Sequence, residues 1–113
     1  MSAITTHVLD TARGRPAVGV SIILERQTDT GWQAAGQGHT DANGRAAGLL
    51  PPGAALLAGT YRLTFALAAY FQEHGVAAFF PEASVVFDVR VAGQDYHVPL
   101  LVSPYGYTTY RGS

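Results

Sequence analysis

The residues best suited to chemistry are two histidines that interrupt apolar runs. His7 lies in Thr5-Thr6-His7-Val8-Leu9-Asp10, and His97 lies in Tyr96-His97-Val98-Pro99-Leu100-Leu101. Each sits on the parity opposite the clearest hydrophobic residues of its segment. Burying a polar group is costly unless it finds partners, so each imidazole needs either packing contacts or a task. Imidazole titrates near neutral pH and is matched to general-base work. One strand histidine alone fits structural packing; two, with few other ionisable groups nearby, point towards proton transfer. Arg45, just after Asn43-Gly44, and Arg111, near the C-terminus, read by themselves as surface arginines. His39 and Asp41 flank a turn, where the Asp41 carboxylate is matched to nearby backbone N–H groups. His74 falls at a helix end, where an imidazolium favours the helix dipole.

Several reaction classes are excluded or unsupported. The chain has no cysteine, so thiol catalysis, disulfides and thiolate metal sites are absent. Its four histidines form no short His-x-His or His-x₃-His pair, and no metal site is expected. There is no Gly-x-Ser-x-Gly elbow, phosphate loop or dinucleotide fingerprint. Seven arginines, no lysine and eight acidic residues give a net charge of −1, without the clustered basic charge that nucleic acid binding needs. No apolar run approaches the roughly 20 residues that span a bilayer. The N-terminal residues do not read as a signal peptide, which leaves the cytoplasm as the expected compartment.

The elements that would position these groups follow a period of two. Val18, Val20, Ile22 and Leu24 share one parity, as do Tyr61, Leu63, Phe65 and Leu67. Val85, Phe87, Val89 and Val91 form a third set, and Tyr96, Val98, Leu100 and Val102 a fourth. Such alternation marks strands half buried against a core. Further strands are expected at 2–10, 32–40, 46–50 and 105–110. They are separated by Arg13-Gly14-Arg15-Pro16, Asp29-Thr30-Gly31, Asp41-Ala42-Asn43-Gly44 and Pro51-Pro52-Gly53, with Asn43-Gly44 suited to positive φ. Ala66 to His74 is rich in helix formers and stops at Gly75, a fitting C′ glycine. A chain of 113 residues fits one domain, and about eight short strands make it an all-β sandwich or barrel. Charged residues are only 13% of the chain, so some apolar surface is expected to be covered by another copy. The run Pro104-Tyr-Gly-Tyr-Thr-Thr-Tyr110 carries no edge-blocking charge, and it is expected to pair with its counterpart in a second subunit.

Longer motifs resemble a known family. Thr5-Thr6-His7-Val8-Leu9-Asp10-Thr11-Ala12-Arg13-Gly14-Arg15-Pro16-Ala17 resembles the opening of the 5-hydroxyisourate hydrolases, or transthyretin-related proteins. Tyr96-His97-Val98-Pro99-Leu100-Leu101-Val102-Ser103-Pro104 and the terminal Tyr110-Arg111-Gly112-Ser113 resemble its ending, and that last tetrapeptide separates it from the hormone-carrying transthyretins. Thr40 to Arg45, Ala69-Tyr70-Phe71 and Phe79-Phe80-Pro81-Glu82 match between the two ends. The resemblance implies a transthyretin-like (prealbumin) β-sandwich of two four-stranded sheets with one short helix. With strands lettered A to H along the chain, the sheet orders are D-A-G-H and C-B-E-F, the helix lying between E and F. It also implies a homotetramer, a dimer of dimers.

The implied reaction is hydrolysis of 5-hydroxyisourate in urate degradation, without metal or organic cofactor. The implied site is His7, Arg45, His97 and Ser113, with Tyr110, Arg111 and Gly112 also contacting substrate. In that plan His7 falls on A, His97 on G, Arg45 at the start of D, and Tyr110 to Ser113 at the end of H. One histidine, preferentially His97, is the general base, and the other orients water or protonates the leaving nitrogen. Arg45 faces the carbonyl oxygen, where a guanidinium suits developing oxyanion charge, or an anionic part of the substrate. The Ser113 hydroxyl and the terminal carboxylate fix the substrate or a histidine tautomer. The rival reading is a non-catalytic carrier of the same fold.

Overall fold

The computed structural model describes residues 3–113, so the Ser2 start expected for the first strand lies outside the described residues. The first strand, β1 (Ile4–Asp10), alternates as its sequence does. Ile4, Thr6, Val8 and Asp10 face inward and are buried, while Thr5, His7 and Leu9 are half-buried on the outer face. Along the chain follow β2 (Arg15–Pro16), β3 (Ser21–Thr28), β4 (Gly31–His39), β5 (Arg45–Ala46) and β6 (Gly59–Ala66). Then come α1 (Leu67–Glu73), β7 (Glu82–Val89), β8 (Tyr96–His97), β9 (Leu100–Ser103) and β10 (Gly106–Thr109).

These strands form two sheets. The first is built around β1, which pairs with β2 and β5 on one side and, in parallel, with β8 and β9 on the other; β10 adds to β9. The second has the order β4-β3-β6-β7, antiparallel throughout. One strand expected over 96–102 is split into β8 and β9 by Val98-Pro99, since proline has no N–H to give the ladder. With β8 and β9 counted as one and the two-residue β2 as a hook, the sheets read β5-β1-β8/β9-β10 and β4-β3-β6-β7. This is the two-sheet sandwich the resemblance implied, with the helix between β6 and β7.

The inward parities meet in one apolar core. Ile22, Leu24, Leu63, Phe65 and Val89 from one sheet pack with Ile4, Val8, Leu100 and Val102 from the other. Each fully buried side chain of this size contributes about 1.5–3 kcal/mol. Three expectations need correction. Val18 and Val91, each 51% exposed, lie beyond the ends of their strands, because the chain is already turning there. The strand expected over 46–50 is only Arg45–Ala46, since Gly48 takes φ +71 and leads the chain off the sheet. Only Gly44 of the Asn43-Gly44 pair has positive φ.

Helix α1 buries Leu67, Tyr70 and Phe71, the i, i+3, i+4 stripe of an amphipathic helix. Its end is a Schellman turn: Val76 N–H donates to the Phe71 carbonyl and Gly75 N–H to Gln72, with Gly75 at φ +72. Arg13 Nη1 lies 3.0 Å from Nδ1 of the capping His74. Seven residues are too few for a self-supporting helix, so tertiary contacts must hold it. Tyr70 donates its phenolic hydrogen to Asp10 Oδ2 at 2.8 Å, while Asp10 Oδ1 accepts from the backbone of Ala12 and Arg13. Asp10 is only 1% exposed, so losing a donor leaves charge poorly solvated. Burial and the hydrogen bond to Asp10 push the Tyr70 phenol above its ordinary range. Tyr70→Phe should lower stability by about 1.5–3 kcal/mol in urea denaturation; an unchanged midpoint would remove this bond from the account.

Candidate active site

The pairing registers of β1 assemble the candidate site. Thr5 is opposite His97 in the parallel pair with β8, and His7 is opposite Arg45 in the antiparallel pair with β5. Residues directly opposite in a ladder share a face, as do residues two apart on one strand. Thr5, His7, Arg45 and His97 therefore all project from the outer face of the first sheet.

The turn before β5 aims Arg45. Asp41 Oδ1 accepts from the N–H of Asn43 at 2.8 Å and of Arg45 at 3.0 Å, so the expected carboxylate-to-backbone turn is present. The Arg45 and Asn43 N–H bonds hold the Asp41 carboxyl below its ordinary range. Gly44 sits at φ +75 with Val8 N–H donating to its carbonyl at 2.7 Å, and a Cβ there would collide with the Val8 carbonyl. Only glycine lets this turn lie flat on β1.

His97 is half-buried, with Thr5 Oγ1 2.8 Å from its Nδ1. Gly112 N–H donates to the His97 carbonyl at 2.8 Å, bringing the chain's end across the ring. A Cβ on Gly112 would lie 2.5 Å from His97 Cδ2, so a larger residue would displace the imidazole. Burial pushes the His97 pKa down, and the charges of Arg45 and then His7 push the same way; a hydrogen bond to the Thr5 backbone opposes them. His97 is thus biased towards the neutral form that can accept a proton.

An open cleft of about 510 Å³ is lined by Thr5, Thr6, Arg45, Ala46, Ala47, His97 and Ser113. Three of the expected site residues, Arg45, His97 and Ser113, line it together. His7 shares the face, but its ring turns to the neighbouring loop, where Nε2 donates to the Asn43 carbonyl at 2.9 Å. Tyr110 and Arg111 border a second, apolar cavity of about 230 Å³ on the other flank of His97, beside Val86 and Asp88 of β7. The Arg111 guanidinium lies 4.9 Å from the centre of the Tyr96 ring. Sequence reasoning missed Thr5. Its signal was present: it shares the parity of His7 and a hydroxyl that can reach a neighbouring strand. Among the described residues, no three His, Cys, Asp or Glu side chains gather as metal ligands, and no helix is long and apolar enough to cross a membrane.

Two stacked sheets, a short helix between β6 and β7, and an imidazole–guanidinium cluster on the outer face define a transthyretin-type sandwich. The chain belongs to the HIUase/Transthyretin family, whose model matches residues 4–112. It is 46% identical over 110 residues to the 5-hydroxyisourate hydrolase of Salmonella dublin, an alignment covering 97% of this chain and 80% of that protein. It is 45% identical over 114 residues to the mouse 5-hydroxyisourate hydrolase, covering 99% and 96%. Transthyretin from Sparus aurata superimposes with a TM-score of 0.91 at 33% identity, covering 99% of this chain and 97% of that one. The Klebsiella pneumoniae 5-hydroxyisourate hydrolase gives 0.84 at 37%, covering 99% and 100%.

The electrostatics can be read directly. In an NMR titration the His97 ring should gain its proton below the ordinary imidazole value of about 6.5. Arg45→Gln should raise that midpoint, because it removes a cation that opposes the imidazolium. A midpoint unmoved by the substitution would contradict the coupling.

Proposed function

We propose that this chain hydrolyses 5-hydroxyisourate, the product of urate oxidation, to 2-oxo-4-hydroxy-4-carboxy-5-ureidoimidazoline. The observation that carries the reading is the meeting of His97, Arg45 and Ser113 at one open cleft, with the base beside the cation. The hydrolase names of its relatives support the same substrate.

On this reading neutral His97 takes a proton from water as the water oxygen bonds to an amide-like ring carbonyl. The resulting oxyanion faces the Arg45 guanidinium, which stays charged and offers forked donors. The ring C–N bond then breaks, and the departing nitrogen receives a proton from the His97 imidazolium. His7, with Nε2 held by Asn43, orients the water and adds positive potential beside the base. Ser113 contributes a hydroxyl to substrate binding. Gly112 keeps the terminal segment close to the imidazole, and Tyr110 and Arg111 extend substrate contacts along its other flank. The acyl group is already activated, so the reading calls for no cofactor.

The same reading takes the protein to be a cytoplasmic homotetramer. The support for association is β10, the outermost strand of its sheet, where Tyr107 is exposed, with Tyr105 and Tyr110 exposed on either side of the strand.

An ultraviolet assay on freshly made 5-hydroxyisourate should show faster decay with protein than without. His97→Ala should cut turnover by about a hundredfold or more, with the tetramer mass unchanged in light scattering. Bound substrate with unaltered decay would favour a carrier. Near-normal turnover in the variant would remove His97 from the mechanism, and a monomer mass for the wild type would remove the tetramer.

A further inference from the structure

We propose that Thr5 is a positioning residue that sets the tautomer of His97, accepting the Nδ1 proton so that Nε2 offers its lone pair to the cleft. The inference rests on the hydrolase reading above and deepens it.

The geometry is specific. Thr5 and His97 are 92 positions apart, yet the parallel register of β1 and β8 makes them direct partners, with Oγ1 2.8 Å from Nδ1. Threonine is β-branched and stiff at χ1, so its hydroxyl is a fixed point rather than a mobile one. The remaining freedom of the ring is limited from the other side by Gly112, whose position leaves no room for a Cβ against His97 Cδ2. A hydroxyl either donates or accepts, so the distance alone leaves two tautomers open. The proposed reaction decides between them. Thr5 engages Nδ1, so Nε2 is the nitrogen left to act on the cleft, and a base must be unprotonated there. The hydrogen of the neutral ring then sits on Nδ1, where the Thr5 hydroxyl accepts it. Nε2, on the far edge of the imidazole, is left as the acceptor that a general base requires.

The groups facing this imidazole are Arg45 from β5, His7 from β1, Asp88 from β7 across the second cavity, and Arg111 from the terminal segment. None of them replaces the Thr5 hydroxyl at Nδ1, so its removal is expressed in His97 itself.

The first measurement is long-range ¹⁵N NMR of neutral His97 in the resting wild-type protein, which should report the Nδ1–H tautomer. Thr5→Val should then lower kcat by about tenfold or more through misplacement of the base, with KM little changed. It should also move the acid limb of the rate profile to lower pH, because an acceptor that stabilises the imidazolium is gone. Thr5→Ser, which keeps the hydroxyl, should restore both. An Nε2–H tautomer in the wild type would overturn the proposal. So would a limb that moves up, or a valine variant with the rate and profile of the wild type. If the valine variant fails to fold, the wild-type tautomer and the serine variant still decide. Wild-type protein without effect on substrate decay would instead refute the hydrolase reading, while the NMR result would still stand on its own.

Discussion

The register of β1 is the constraint on which the site depends. A strand's side chains alternate faces with a period of two, so a slip of one residue sends every outward group inward. In β1 such a slip would place Thr5, His7 and Leu9 in the core and expose Ile4, Thr6, Val8 and Asp10. Four inward positions resist it. Ile4 and Val8 lose their apolar burial, Thr6 loses its hydrogen bond to the Val98 carbonyl, and Asp10 loses the Tyr70 hydroxyl. The core thereby fixes the outer face without touching it. Because β1 pairs on both sides, the same register brings Arg45 from one neighbour and His97 from the other.

That arrangement also has an electrostatic result. Arg45 and the two histidines share a small surface, and positive groups so close disfavour adding another charge. Partial burial of His97 acts in the same direction, and both keep the imidazole neutral near physiological pH. On the proposed hydrolase reading, the cation that suppresses protonation of His97 also receives the developing negative charge. In that proposal one residue both tunes the acceptor and stabilises the product of its action. The local structure supports this pairing with hydrogen bonds rather than apolar packing, since Asp41 holds the turn before Arg45 and Asn43 holds His7.

Much of this was legible in the residues themselves. The strands β3, β6, β7 and β8/β9 showed their alternation because one face of each is buried by hydrophobic side chains. Gly75 marked the helix end because a left-handed turn there suits glycine. His7 and His97 stood out as polar interruptions. What local pattern did not carry was pairing: Thr5 became informative only once its ladder partner was known to be His97. Strand ends were also hidden, since Val18 and Val91 fit the alternation although their backbones had left the sheets. Past Thr109 the chain leaves the β10 ladder and bridges back to His97 through Gly112. Consequently Tyr110 and Arg111 border the second cavity while Ser113 lines the cleft, a division that no periodicity in the last four residues reveals.

The central claim, that the outer face of β1 and its neighbours is where the substrate is held, is tested most directly by a crystal structure with a non-hydrolysable 5-hydroxyisourate analogue. The account predicts the analogue in the cleft, its carbonyl oxygen within hydrogen-bond reach of the Arg45 guanidinium and its reactive carbon facing His97 Nε2. An analogue lodged elsewhere, for instance in the apolar cavity beside Val86 with neither Arg45 nor His97 Nε2 in contact, would contradict it.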